Sequence, residues 1–118
     1  PNSGRDVKGP TAFIASVSVP DYTKTVGGTV INMKFDPEFF AGERGADIFL
    51  GFTRKFVSGG IHELQFNFTG NEMLQAARKD PEKYAGLVVR VSGFSAYFTR
   101  LEGKVQDDII KRRTHRIL

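Results

Sequence analysis

The sequence predicts an α/β fold with parallel strands, on three observations. Runs with β-strand character alternate along the chain with stretches of helical period, in the order helix–strand–helix–strand–helix–strand–loop–helix. Glycine or proline breaks most of the junctions. Two of the strands, Thr29 to Phe35 and Ile61 to Phe68, carry one apolar face each. Three strands are few for a closed sheet, so the segment is expected to be the C-terminal portion of a larger α/β barrel.

Taken in order, residues 1–10 read as irregular, with two glycines and the Gly9-Pro10 breaker. Thr11 to Val19 carries Phe13, Ile14 and Val17 at helical spacing, and Pro20 is the stop. Gly27-Gly28 precedes a strand, Thr29 to Phe35, whose Ile31, Met33 and Phe35 share a face. A loop with Pro37, Gly42 and Gly45 leads to a helix from about Ala46. Its apolar stripe is Ile48, Phe49, Phe52 and Phe56, and Gly59-Gly60 ends it.

Ile61 to Phe68 alternates sharply, with Leu64, Phe66 and Phe68 on one face and Glu63, Gln65 and Asn67 on the other. Thr69 and Glu72 have the spacing of a capping box before a helix through Met73, Leu74 and Ala77. Asp80-Pro81 predicts a restart of that helix. Leu87 to Ser92 reads as a third strand running into Gly93. The last helix begins near Lys104, with Val105 and Ile109 on one side.

Composition limits what such a chain can do. Its 118 residues amount to one domain's worth of sequence. A chain of that size hides roughly two thirds of its unfolded surface, and eleven phenylalanines supply much of the apolar material. No apolar run approaches the ~18 residues a membrane helix needs, and the polar start shows no signal peptide; a cytoplasmic location and no membrane partner are expected. Cysteine is absent, which excludes disulfides, zinc–thiolate and iron–sulfur ligation, and any thiol nucleophile within this sequence.

The net charge of +4 is concentrated at one end. From Arg100 onward six Lys and Arg face three carboxylates, leaving the rest nearly neutral. That is a poor footprint for a nucleic-acid-binding face, and no nucleic-acid partner is expected. Lys111, Arg112, Arg113 and Arg116 suit the negative end of the last helix. His62 and His115 are isolated, with no second ligand at metal spacing, and read as surface or packing residues; no metal site is expected. Asp107 and Asp108 are adjacent and share no helix face.

The segment Arg90-Val91-Ser92-Gly93-Phe94-Ser95-Ala96-Tyr97-Phe98 is the most informative one. It places a single glycine between a β-forming run and an aromatic-rich one. Read locally, it is either a tight turn or a place where the backbone is chemically special, because glycine alone has no Cβ. It partly echoes an RNA-recognition consensus, but Ser92 and Ala96-Tyr97 depart from that pattern and the element order is wrong for an RNA-binding sheet.

The nonapeptide resembles the C-terminal signature of the glycyl radical enzymes. The likeness extends to Asp80-Pro81-Glu82-Lys83-Tyr84, Leu87-Val88-Val89 and Gln65-Phe66-Asn67 before it. It also takes in Val105-Gln106-Asp107-Asp108-Ile109-Ile110 after it. Gly4-Arg5-Asp6, Gly9-Pro10-Thr11-Ala12 and Asn32-Met33-Lys34-Phe35 fit the same region, so the likeness covers nearly the whole chain.

The resemblance implies one glycyl radical domain over residues 1–118, the C-terminal segment of a ten-stranded α/β barrel with a radical loop at about 88–99 and a terminal helix. It makes Gly93 the radical residue, supported by Arg90, Val91, Ser92 and Phe94. Arg90 either anchors the loop by a charge-assisted hydrogen bond or is a solvent-exposed strand residue. Gln65 and Asn67 either line the barrel interior near the loop or form a satisfied polar strand face.

By the same resemblance, this chain binds no cofactor of its own. An activating enzyme using S-adenosylmethionine and an iron–sulfur cluster removes a hydrogen from the glycine Cα. The radical then passes to a cysteine, which must lie outside this sequence. The other implied partner is the remainder of the enzyme carrying that cysteine loop, in a homodimer of the full protein. Phe94, where pyruvate formate-lyase has tyrosine, leans the reading towards lyases, dehydratases and decarboxylases. Alternatives are a fumarate-adding synthase of the same family, a stand-alone spare part that repairs an oxygen-damaged enzyme, and an RNA-binding module.

Overall fold

The computed structural model describes residues 5–116; of the irregular opening segment and its Gly4-Arg5-Asp6 motif, residues 1–4 lie outside that range. Nine elements follow: α1 (Pro10–Val17), β1 (Val30–Phe35), α2 (Gly42–Ser58), β2 (Glu63–Asn67), α3 (Asn71–Lys79), β3 (Val88–Arg90), β4 (Ser95–Tyr97), α4 (Gly103–Lys111) and β5 (Thr114–His115). Single 3₁₀ turns occupy Tyr22–Lys24 and Phe98–Arg100. The α/β class and the parallel sheet are as the sequence predicts.

The sheet has the order β2-β1-β5, with both pairings parallel. Ile31 lies beside Leu64, Asn32 beside Gln65, Met33 beside Phe66 and Lys34 beside Asn67. In-register pairing puts each pair on one face. The apolar face meets α1 and α2 in a core of Ile14, Ile31, Met33, Phe35, Phe39, Phe52 and Ile61. Phe35 is its centre, with Phe39 and Phe40 rings each 4.9 Å away and Phe52 and Phe66 at 5.8 and 5.6 Å. Such tilted and edge-on pairs add to the area that aromatic rings bury.

Four boundaries differ from expectation. Helix α1 ends at Val17, ahead of Pro20, with Ser18 as its C-cap donating both its amide and its Oγ to the Ile14 carbonyl, at 3.0 and 2.7 Å. Helix α2 starts at Gly42, a turn before Ala46. Gly45 has a packing reason: a Cβ there would lie 2.2 Å from the Phe40 carbonyl carbon, so only glycine lets the preceding turn come this close. Helix α3 is capped by Gly70, not Thr69, whose buried hydroxyl has no partner among the described residues, so the predicted capping box does not form. Beyond Asp80 the chain makes turns over 81–86 in place of a restarted helix, with Ala85 and Leu87 amides bonding three residues back.

The larger correction concerns the third strand. Predicted over Leu87–Ser92 as part of the parallel sheet, it is only Val88–Arg90, and it pairs antiparallel with β4 in a separate two-stranded hairpin. The turn at Gly93 lets the chain fold straight back, so the nearest partner is β4. A second core, Leu74, Ala77, Val89, Phe98 and Ile109, packs this hairpin between α3 and α4. Ile109 is fully buried there. Ile109→Val should cost about 0.5–1.5 kcal/mol in denaturant unfolding, and no measurable cost would contradict the packing.

Strand β5, two residues long, escaped the sequence reading altogether. It brings His115 into the interior, packed on Phe35 at 5.4 Å with Asp6 3.4 Å from its Nε2. His115 is therefore a packing residue, with a carboxylate beside it that the sequence order does not suggest. Burial lowers its pKa below the ordinary 6.5; Asp6 opposes this and Arg113 adds to it. The folded chain thus binds fewer protons than the unfolded chain, and its stability falls as pH drops below 6.5. Chemical denaturation at stepped pH should show that loss, and His115→Phe should remove much of it.

Candidate functional site

The second face of the parallel sheet is polar, and it looks onto the hairpin. Asn32, Lys34, Gln65, Asn67 and Thr114 all lie on it, since Asn32 pairs with Gln65 and Lys34 with both Asn67 and Thr114. Gln65 and Asn67 are each only 5% exposed. They are more buried than the apolar Phe68 on the opposite face, which is 45% exposed. A buried polar side chain is costly unless its hydrogen bonds are made, and both of these side chains make theirs to the glycine loop.

Asn67 grips Arg90 by both backbone groups. Its Oδ1 accepts from the Arg90 amide at 2.7 Å and its Nδ2 donates to the Arg90 carbonyl at 2.8 Å. The side-chain amide thereby takes the place of a neighbouring strand's peptide, which is how the hairpin attaches to β2 without joining its sheet. Gln65 Oε1 accepts from the Gly93 amide at 3.1 Å. Its Nε2 is committed to the Glu63 carboxylate, which fixes the orientation of the amide.

The loop itself is a four-residue connection from Arg90 to Ser95, closed by the Val91 amide donating to the Phe94 carbonyl at 2.9 Å. Gly93 has φ +77°, a conformation that costs a side-chain-bearing residue. Among the described residues, nothing lies within 4 Å of the place a Cβ would occupy. The glycine is therefore required by its backbone, while its Cα faces open space. Ser92 and Phe94 flank it, both exposed.

The Arg90 guanidinium donates to Ser95 Oγ at 3.1 Å and stands 3.9 Å from Glu63, half-exposed across the hairpin. Its side chain braces the turn, and its backbone is what the sheet holds. Thus Gly93, Arg90, Val91, Gln65 and Asn67 come together, with Ser92 and Phe94 at the open tip. Three residues not singled out as site candidates also belong. Arg112 donates to the Val91 carbonyl at 2.9 Å. Gln106 donates to the Phe98 carbonyl at 3.0 Å, at the far end of the hairpin. Lys34 lies buried beneath α4. A lone lysine between Met33 and Phe35 in a strand was a usable signal for the last; Arg112 gave none.

The family model for the glycine radical matches residues 1–99. Trans-4-hydroxy-L-proline dehydratase of Clostridioides difficile is 40% identical over 95% of this chain and 14% of its own length. Isethionate sulfite-lyase of Desulfovibrio desulfuricans is 38% identical over 98% of this chain and, again, 14% of its own length. A solved structure concerned with 1,2-propanediol dehydration in Roseburia inulinivorans superposes with a TM-score of 0.92 at 43% identity, covering 98% of this chain and 14% of that one. The chain spans about a seventh of the proteins it resembles. With the model covering most of the sequence and the fold superposing over nearly all of it, the chain belongs to the glycine radical family, that of the glycyl radical enzymes.

Proposed function

We propose that this chain stores an unpaired electron on the Cα of Gly93 and serves a lyase or dehydratase of the glycyl radical type. The single observation that carries the reading is Gly93 itself, at the tip of a braced loop with an open Cα and an amide held by Gln65. Removal of one Cα hydrogen atom leaves a radical that flattens and delocalises into both flanking peptide groups, which a Cβ substituent would hinder. The hydrogen acceptor is a radical supplied by an activating enzyme from S-adenosylmethionine. In turnover the Gly93 radical regains a hydrogen atom from a cysteine thiol, leaving a thiyl radical for substrate.

That cysteine belongs elsewhere, since this sequence has none. The three parallel strands would then be a segment of the enzyme's barrel, with the polar face turned inward. The dehydratase and sulfite-lyase among the relatives support C–O or C–S cleavage as the reaction class. Within the chain, the division of labour follows from geometry. Asn67 and Gln65 hold the loop backbone, Arg90 braces the turn, and Phe94 offers an exposed aromatic surface to whatever covers the tip.

The test is anaerobic activation followed by air. Oxygen adds to a carbon-centred radical, so the activated chain should be cut at Gly93 and mass spectrometry should find the break there. A chain that remains whole in air after full activation, or breaks at another residue, contradicts the assignment.

A further inference from the structure

Helix α4 ends against the glycine loop, and the contacts there are not those of an ordinary helix end. Arg112, the residue just past its last turn, spreads one guanidinium over three partners. Its Nε and Nη2 donate to Asp108 Oδ2 at 3.2 and 2.8 Å, while Nη1 reaches the Val91 carbonyl at 2.9 Å and the Arg90 carbonyl at 3.4 Å. The carbonyl of Val91 is two residues before the glycine. Asp108 therefore aims the fork, and the fork adds a second hold on the loop backbone beside those of Gln65 and Asn67.

The turn that carries Arg112 is itself pinned from beneath. Lys34, 1% exposed, donates through Nζ to the carbonyls of Ile109 and Ile110, each at 3.0 Å, and to Asn71 Oδ1 at 2.6 Å. Three donors meet three acceptors, so the ammonium is fully used. Two of those acceptors are last-turn carbonyls, which have no partner within the helix. Burial, together with the nearby charge of Arg112, lowers Lys34 to about 8, which leaves it mostly charged at neutral pH.

We infer that Arg112 is a positioning residue for the Gly93 loop, aimed by Asp108 and anchored through α4 by Lys34, so that the terminal helix straps the loop onto the sheet. This extends the radical reading by naming what fixes Gly93 in place. A charge that merely complemented the helix dipole would point at α4's own carbonyls, and this one is directed across 21 residues of sequence to another element.

The strap is tested by amide hydrogen exchange in the polypeptide that carries these residues, with no radical needed. Arg112→Met should speed exchange of the hydrogen-bonded loop amides, those of Val91 and Gly93, by about 10- to 100-fold, the factor a charge-assisted hydrogen bond provides, while β1 and β2 amides exchange as before. Loop exchange unchanged in Arg112→Met, or raised equally throughout the chain, overturns the proposal. If Arg112→Met does not fold, Arg112→Lys decides. Lysine has no planar five-donor fork to seat one edge on Asp108 while a third nitrogen reaches Val91, so the loop amides should exchange at least several-fold faster, and an unchanged rate overturns it. Failure to form a radical would sink the radical reading and leave the strap standing.

Discussion

Gly93→Ala is expected to abolish both the radical and the break in air, while leaving the chain folded. The two halves of that result have separate causes. Space is available: a Cβ at Gly93 meets nothing within 4 Å among the described residues, so the neighbouring side chains stay in place. Backbone strain is the only structural cost. At φ +77° a residue with a side chain loses roughly 1–2 kcal/mol, which a melt should detect without loss of the fold. The chemical loss is complete, because the methyl group opposes the planar, delocalised carbon on which radical storage depends. An alanine chain that still accumulated the radical would remove the reason for glycine at this position.

Asn67→Leu is expected to have the largest effect of any change away from the loop. The substitution keeps the branched shape and the number of heavy atoms but deletes a two-point grip, leaving the Arg90 amide and carbonyl facing a buried apolar side chain. Unpaired buried polar groups cost about 1–3 kcal/mol each, so denaturant unfolding should show a loss of about 2–5 kcal/mol. Arg112 touches the Arg90 carbonyl only at 3.4 Å and cannot take over both bonds. Asn67→Asp separates the halves of the grip: its carboxylate still accepts from the amide but faces the carbonyl oxygen with like charge. It should be destabilised as well. Stability within about 0.5 kcal/mol of the parent for both variants, the ordinary range for surface changes, would contradict the clamp.

Much of this arrangement was legible in the sequence because alternation is a geometric signal. Gln65 and Asn67 sit on one face of a strand with Phe66 on the other, and that alternation alone puts both amides on the same face. The depth of that polar face was not legible. Polar residues on a half-buried strand are ordinarily the wet side, and here the hairpin covers them, through contacts 23 and 28 residues apart. The third strand was misassigned for a related reason. Val88 and Val89 carry β propensity, but propensity does not name a partner, and Gly93 turns the chain back before a parallel pairing is reached.

The capping box at Thr69 had the right spacing and the wrong register, since Gly70 is the residue that precedes the first helical turn. β5 spans two residues and leaves no periodicity to read. Arg112 was visible only as a charge near a helix end. Its partner carbonyl is a tertiary fact, set by where α4 stops once Lys34 has engaged its last turn. Gly93 stood out by family likeness, and the structure adds the backbone angle and the open Cα.

The most direct measurement is electron paramagnetic resonance of the activated chain, frozen without oxygen and prepared with ordinary or α-deuterated glycine. A radical on Gly93 Cα retains one α-hydrogen, so the signal should be a doublet that collapses to a narrower line on deuteration and is absent from Gly93→Ala. A doublet that survives deuteration of glycine, or one that persists in Gly93→Ala, would place the electron elsewhere and contradict the account.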